Sequence, residues 1–246
     1  MQEPFFLLGG RIWSLEKKGG RLMAQMTSQT DYREERIGAV ANPGPLGLLI
    51  LALATALVGA SFAHFLIPNA FLGLGTVVAP VLVYAGVILV LSGMWAFRKN
   101  HVLGATLFSA YGGFLIAFGF LFWPTIGLTR LFGLEILAFD HALGLLFLCW
   151  TICCGVLFLA SLRTNMLLAI VLAFLCLSYL FLTIGELANA NMALLVIGGW
   201  LGIICALVSW YAALAGILQA TRSPFQLPMG ERGGAPARPY GGEPAV

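Results

Sequence analysis

Charged side chains are scarce in this chain of 246 residues: only 9% are Asp, Glu, Lys or Arg, whereas 60% are hydrophobic. An ordinary soluble domain is about a quarter charged and about half apolar. Because many residues of a soluble fold of this size still touch water, so much apolar surface could not be hidden there. The composition therefore excludes a soluble globular enzyme, a disordered chain and a nucleic-acid-binding protein, and it indicates a membrane protein with several spans.

The cysteines form neither a disulfide framework nor a metal site. All five lie inside apolar runs: Cys149, Cys153, Cys154, Cys176 and Cys205. In such surroundings a cysteine behaves as a small hydrophobic residue. Cys149 and Cys153 share a helix face, but no histidine or acid lies near them in sequence, so a metal site there has little support. We therefore predict no metal and no cofactor.

Six continuous apolar runs are long enough to cross a bilayer, which takes about 20 helical residues. A β-barrel would show alternating instead of continuous apolar residues. The sequence therefore predicts an all-α membrane protein, a bundle of six transmembrane helices in contact with the lipid bilayer. The predicted spans are 44–65, 76–97, 103–123, 141–162, 166–184 and 192–218.

Two polar segments flank the predicted membrane domain, which covers residues 42–219. Residues 1–41 mix acidic and basic side chains, and Met23 and Met26 are alternative start codons. We expect this segment to be disordered or to come from an over-long gene prediction. Residues 220–246 are rich in Gly, Pro and Arg, which predicts a disordered tail.

The basic residues predict the orientation of the chain. Of the 13 Lys and Arg residues, only Arg130 falls on the side opposite to the two termini. Cytoplasmic loops of membrane proteins carry the excess of Lys and Arg. We therefore predict that both termini are cytoplasmic and that this is a multi-pass protein of the plasma membrane.

Asp, Glu, Lys and Arg are missing from the interior of all six predicted spans. Ion-coupled pumps and proton relays usually need one at membrane depth. No nucleophile with a neighbouring base is visible either, so we predict no catalytic residue and no enzyme activity. His64 and His141 fall at the same predicted membrane face and leave a haem-binding redox protein as an alternative, although further ligands and orienting acids are not evident.

The most distinctive local sequence is Asn-Pro-Gly-Pro-Leu-Gly-Leu at residues 42–48, where the first span begins. Asn42 suits an N-cap and Pro43 the first helical position. Pro45 falls among the first four positions, whose N–H groups have no helical partner anyway. The remaining N–H groups point out of the positive end of the helix, where a carboxylate would bind. The alternative is simply a well-capped helix.

This opening resembles the signature of the acetate uptake transporters, the succinate–acetate permease type. The resemblance covers about residues 40–220 and continues in blocks at 92–95, 97–100, 104–114 and 199–203. It implies a monocarboxylate path through each protomer and a homo-hexamer of protomers. The substrate-binding motif that it implies consists of Asn42, Pro43, Pro45, Leu46 and Gly47.

The resemblance also implies a hydrophobic constriction in the path. Tyr111 matches the family's aromatic residue on helix 3, and Leu51 stands where helix 1 usually has Phe, which suggests a wider gate. Leu89 and Ala96 stand where helix 2 typically has Gln and Glu. Proton coupling through that Glu, and the family's choice of substrate, therefore do not follow from the resemblance.

Neutral hydroxyls on the third span, Thr106 and Ser109, are further candidates for the lining of a path for a small acid. The alternative is that they bond back to their own helix, as Ser and Thr often do. Small residues in the sixth span, such as Gly198 and Gly202, allow close packing, either between protomers or within the chain.

These observations favour channel-like or weakly coupled transport of acetate and similar small monocarboxylates. A second function is a membrane scaffold or sensor of the same fold that has lost transport, which Leu89 and Ala96 suggest. Uptake of labelled acetate separates these two functions, and a visible absorption spectrum tests the haem alternative.

Overall fold

The long apolar segments form helices because a helix satisfies its backbone hydrogen bonds within the segment, as a bilayer requires. A computed structural model describes residues 41–66, 74–123, 136–221, 223–225 and 227–228. Within these residues, six helices are long and apolar enough to span a membrane, which confirms the predicted six-span, all-α membrane fold. They are α1 (Gly44–Phe62), α2 (Leu74–Arg98), α3 (Val102–Leu121), α4 (Ile136–Ser161), α5 (Met166–Leu187) and α6 (Met192–Ala220).

The second span opens with a wider turn than the sequence predicts. Leu74–Val78 is a π-helical turn, and the regular α-helix follows as Ala79–Arg98. Pro80 stands at the start of that α-helix and has no N–H, so it interrupts the regular backbone ladder at this point. An apolar run carries no signal for such a local change of helix type.

Helix ends differ from the prediction by several residues. Helix α4 begins before His141, and α5 continues past Ile184, so that Asp140 and Glu186 lie within helices although we predicted them in loops. A polar residue in the first or last turn does not stop a helix. The predictions for Arg130, for residues 1–40 and for most of the C-terminal tail fall outside the described residues.

Helices pack side by side as α1 with α6, α2 with α3, α4 with α5, and α5 with α6. Helices α1 and α6 approach each other closely at Gly59, where an added Cβ would lie 2.7 Å from the carbonyl oxygen of Gly199. Gly198 and Gly202 are likewise buried within the chain. Of the two packing roles that the sequence left open for these small residues, packing within the chain is the one observed.

The outer faces of the bundle carry large apolar side chains. On α4, four of them are each more than half exposed: Leu145, Ile152, Val156 and Leu159. These faces suit lipid tails or another protomer, since neither demands polar groups. Much of the hydrophobic composition thus lies on the outside of the bundle and not only in its core.

Candidate functional site

The Asn-Pro motif forms the first turn of α1. The helix begins at Gly44 with Pro43 as its N-cap, so the prediction of Asn42 as the N-cap was one residue early. The carbonyl of Pro43 accepts the N–H of Gly47 at 3.0 Å and so closes the first turn. The side-chain oxygen of Asn42 still accepts the N–H of Gly44, also at 3.0 Å. Asn42 therefore satisfies one of the amides at the helix start from outside the helix.

Few N–H groups remain at this helix start. Pro43 and Pro45 have none, and those of Gly44 and Gly47 are bonded to the motif itself. In the described part of the chain, the N–H of Leu46 is the one first-turn amide without an acceptor. A carboxylate at this end of the bundle therefore needs donors from other segments as well.

Two residues of the motif have surroundings that the sequence did not show. Gly47 lies against the ring of Phe108 on α3, and an added Cβ would come within 2.5 Å of that ring. Only glycine permits this contact. The side chain of Leu46 is 50% exposed on the outside of the bundle.

A cavity of about 400 Å³, which we call the vestibule, opens at the start of α1. Its walls come from the first turn of α1, the α2–α3 and α4–α5 connections and the end of α6. Among these described lining residues Lys99 has the one charged side chain, and none is an acid. The lining residues include Asn42, Pro43, Pro45, Leu48, Ala96, Lys99, His101, Leu107, Phe108, Asn165 and Gly216.

Several side chains of the vestibule offer hydrogen-bond donors. Nδ1 of His101 accepts the N–H of Gly104 at 3.1 Å and caps α3, so the neutral ring carries its proton on Nε2. The side-chain oxygen of Asn165 caps α5 at 2.8 Å, which leaves its NH₂ group, as in Asn42. Together with the ammonium group of Lys99, these donors suit a carboxylate, which only accepts hydrogen bonds.

The two predicted constriction residues lie directly beyond the vestibule. Leu48 and Phe108 line the vestibule, and Leu51 and Tyr111 follow three residues later on the same helices. Three residues advance a helix by about 4.5 Å. Leu51 and Tyr111 are both 0% exposed and belong to the same buried apolar cluster. Their positions agree with a narrow region below the vestibule, and their role as a gate stays a prediction.

Tyr111 meets a residue that the sequence did not single out. Its hydroxyl oxygen lies 3.2 Å from that of Tyr179 on α5, and both side chains are buried. Aromatic rings surround the pair, among them Phe114 and Trp150. An isolated tyrosine within the apolar fifth span was the one available signal for Tyr179.

The structure does not bring the other two α3 candidates together with Tyr111. Thr106 is exposed, and its hydroxyl donates to the carbonyl of Val102 on its own helix at 2.9 Å. Ser109 packs against Gly93 on α2, and its hydroxyl has no hydrogen-bond partner among the described residues. The bond made by Thr106 matches the alternative of back-bonding, and a pore-lining role for both residues stays a prediction.

A row of buried polar side chains follows Tyr179 along α5. Thr183 and Glu186 come four and seven residues later, on the same helix face. The hydroxyl of Thr183 lies 3.3 Å from that of Thr151 on α4. Glu186 is only 4% exposed, so the last turn of α5 holds a buried carboxyl group. In the sequence, these polar residues are spaced by four and then three positions, a helical pattern that points to this row.

The two departures from the resembling family occupy different places. Leu89 is fully buried in the core, whereas Ala96 lines the vestibule. A glutamate at position 96 would add an acid to the same cavity as Lys99. With alanine at this position, the described lining of the vestibule carries positive charge alone.

The two histidines considered for haem have separate surroundings. A ring nitrogen of His64 lies 3.0 Å from the sulfur of Met192, and His141 is exposed. Among the residues that the structure describes, there is no group of three or more His, Cys, Asp or Glu that could hold a metal ion.

Several curated proteins are similar to this chain. Acetate permease A of Emericella nidulans is 31% identical over 211 residues, which cover 80% of this chain and 68% of that protein. Succinate-acetate/proton symporter SatP of Escherichia coli K12 is 29% identical over 194 residues, covering 78% and 96%. Ammonia transport outward protein 2 of Saccharomyces cerevisiae is 28% identical over 200 residues, covering 78% and 68%.

A solved structure shares the fold. The bacterial acetate channel SatP aligns with a TM-score of 0.61 at 24% identity, over 78% of this chain and 99% of that one. The sequence profile of the GPR1/FUN34/yaaH family matches residues 24–231, which include all six described helices. The predicted resemblance to acetate transporters is thereby confirmed, and this chain belongs to the GPR1/FUN34/yaaH family.

Proposed function

We propose that this chain carries acetate and similar small monocarboxylates across the plasma membrane, in a channel-like or weakly coupled manner and without enzyme activity. The acid passes through the vestibule and then between Leu51 and Tyr111. One observation carries this proposal: a cavity lined by hydrogen-bond donors and Lys99 lies one helical turn above two fully buried residues at the predicted gate.

The charge of the vestibule distinguishes between the cargoes named for the relatives, which include acetate, succinate and ammonia. An ammonium ion would meet the like charge of Lys99 and would find no acid among the described lining residues. A carboxylate would find an ammonium group and several N–H donors. The electrostatics therefore support a small carboxylate as the cargo.

Uptake of radiolabelled acetate by proteoliposomes tests the proposal. The assay is run at alkaline pH, where little of the acid is in its membrane-permeant neutral form, against protein-free vesicles. We expect saturable uptake that other small monocarboxylates inhibit. Folded protein that gives no more uptake than empty vesicles would favour the scaffold or sensor function instead.

A matched pair of variants tests the role of the vestibule charge. Lys99→Gln removes the charge from the cavity and should raise the KM for acetate several-fold. Arg98→Gln is the control, because Arg98 lies outside the lining and stacks over the ring of Trp95 at 5.4 Å. Equal effects of the two substitutions would point to a general loss of surface charge.

We also propose that the vestibule faces the cytoplasm. The distribution of Lys and Arg supports this orientation, since the vestibule lies at the end of the bundle that holds Lys99 and Arg163. Reporter fusions at Glu16 and Glu231 should both report the cytoplasm. A signal from the opposite side at either position would contradict the orientation.

A homo-hexamer is the assembly that we propose for the chain. The large apolar side chains on the outer faces of the helices support contacts with further protomers as well as with lipid. Native mass spectrometry from detergent should give six chains per particle. A stable monomer that transports acetate would contradict the proposed assembly.

A further inference from the structure

An unpaired hydrogen-bond donor is buried in the centre of the bundle. Trp150 on α4 is only 9% exposed, and its indole N–H has no acceptor among the described residues. Buried tryptophans usually find a partner for this group. A donor left without a partner weakens the folded state, so this N–H group calls for an acceptor beyond the described residues.

The neighbours of Trp150 supply a second spare donor. Its ring is 5.6 Å from that of Tyr111 and 6.5 Å from that of Tyr179, between centroids. The two tyrosine hydroxyls lie 3.2 Å apart, and one of them donates to the other. The accepting hydroxyl therefore keeps a proton for which the described residues offer no acceptor.

Two spare donors beside apolar rings match a short carboxylic acid. A carboxyl group has two oxygens, one for each donor, and its alkyl group suits apolar surroundings such as the aromatic cluster of Phe114 and Trp150, whose ring centroids are 4.4 Å apart. The entering acid would separate the tyrosine hydroxyls and replace their single hydrogen bond by bonds from both tyrosines and the indole. The number of hydrogen bonds therefore rises when the acid binds.

We propose that Trp150, Tyr111 and Tyr179 form a binding site for the carboxyl group of the cargo in the middle of the membrane, with the indole N–H as a fixed donor. The inference rests on the proposed function, since it places a stopping point for the acid at the constriction, where Tyr111 lies. It assigns roles to residues of α4 and α5, whereas all the site residues predicted from the sequence belong to the motif at the start of α1 or lie on α1 and α3.

Nuclear magnetic resonance of the indole nitrogens tests this site directly in the full chain. The protein is labelled at its tryptophan side chains and reconstituted in nanodiscs, and Trp→Phe variants assign the signals. We expect acetate to shift the Trp150 signal downfield and saturably, whereas chloride at equal ionic strength does not. The exposed Trp95 and Trp200 serve as internal references that should stay in place.

The outcomes separate this inference from the proposed function. A Trp150 signal that acetate leaves unmoved, in protein that takes up acetate, would overturn the site and leave transport standing. An equal shift with chloride would also overturn it. Protein that shows neither uptake nor a shift would contradict both. If Trp150→Phe does not fold, variants of the other tryptophans assign their signals and leave that of Trp150 by elimination.

Transport kinetics distinguish two roles of Trp150, the indole N–H as a hydrogen-bond donor and the ring as a packing group. Trp150→Phe should raise the KM for acetate about five- to tenfold, the effect expected for the loss of one hydrogen bond. Phe114→Leu is the comparison, because it removes a stacked ring of the same cluster and no donor. It should alter the preference among acids of different chain length more than the KM for acetate. Equal KM changes in the two variants would mean that Trp150 acts by packing, and would overturn the proposed donor.

Discussion

Tyr111 on α3 and Tyr179 on α5 face each other with their hydroxyl oxygens 3.2 Å apart, in a part of the bundle where both side chains are buried. Leu51 shares the same apolar cluster. The residue that the sequence favours for the gate is thus tied to a different helix by a single hydrogen bond. Motion of either tyrosine would break that bond, so the pair is well placed to respond to a passing acid.

The two hydroxyls should contribute similarly to transport. Tyr111→Phe and Tyr179→Phe each keep the ring and remove the bond between the hydroxyls, with a loss of about 1 kcal/mol. We expect the acetate uptake rate to change by about tenfold or less in either variant. An unchanged uptake rate in both folded variants, measured in proteoliposomes, would mean that neither hydroxyl contacts the passing acid.

Leu51 should set the width of the path. Leu51→Phe adds a ring next to the Tyr111 level and should narrow the range of acids, with uptake of bulkier acids falling more than uptake of acetate. Leu49→Phe is a matched control on the same helix, because Leu49 is 41% exposed on the outer face. Competition assays with acids of increasing size measure the effect. An unchanged acid range in stable Leu51→Phe protein would remove Leu51 from the gate.

Substitutions of Asn42 distinguish its hydrogen bond to the start of α1 from a direct contact with the substrate. Asn42→Asp keeps an oxygen that can accept the N–H of Gly44 but places a negative charge in the vestibule. We expect normal thermal stability and strongly reduced acetate uptake. Asn191→Asp is the control, since Asn191 caps α6 at the opposite end of the bundle.

Asn42→Ala completes this test. It removes the hydrogen bond to the N–H of Gly44 at a loss of about 1 kcal/mol, which is too little to unfold a six-helix bundle. Uptake should fall while folding and assembly, followed by size-exclusion chromatography, stay intact. Normal uptake by both Asn42 variants would support the role of capping alone.

The contact between α1 and α6 should tolerate no added side chain. A Cβ at Gly199 would overlap the backbone of α1 at Ala63 and Gly59, so Gly199→Ala should destabilise the fold by about 1–3 kcal/mol. Gly113→Ala is the control, because no described residue outside its own stretch of helix lies within 4 Å of the position of its added Cβ. Thermal unfolding in detergent should show a lower Tm for Gly199→Ala only. Equal Tm values would contradict the close approach of the two helices.

The six spans could be predicted from the sequence because continuous hydrophobicity is what a bilayer selects. Their ends could not, as Glu186 shows: a single acid in the final turn is compatible both with a loop and with a buried helix end. The π-helical turn before Pro80 likewise left no mark on the hydrophobic pattern.

The candidate site could be predicted only in part. Asn42, Leu51 and Tyr111 came from a resemblance to a family, whereas their partners depend on contacts between distant segments. Tyr179 is 68 residues from Tyr111. Lys99 and Asn165 join Asn42 in the vestibule only because their connections meet at one end of the bundle. Such pairings leave no local pattern in a sequence.

The central claim is that the acid passes through the vestibule and then past the buried pair of Tyr111 and Tyr179. The range of acids that Tyr111→Ala transports tests this claim most directly. Uptake of lactate and succinate is compared with uptake of acetate in proteoliposomes of wild-type and variant protein. We predict that folded and assembled Tyr111→Ala protein takes up the bulkier acids lactate and succinate as well as acetate. Reduced stability with an unchanged range of acids would contradict it and would leave Tyr111 as a packing residue.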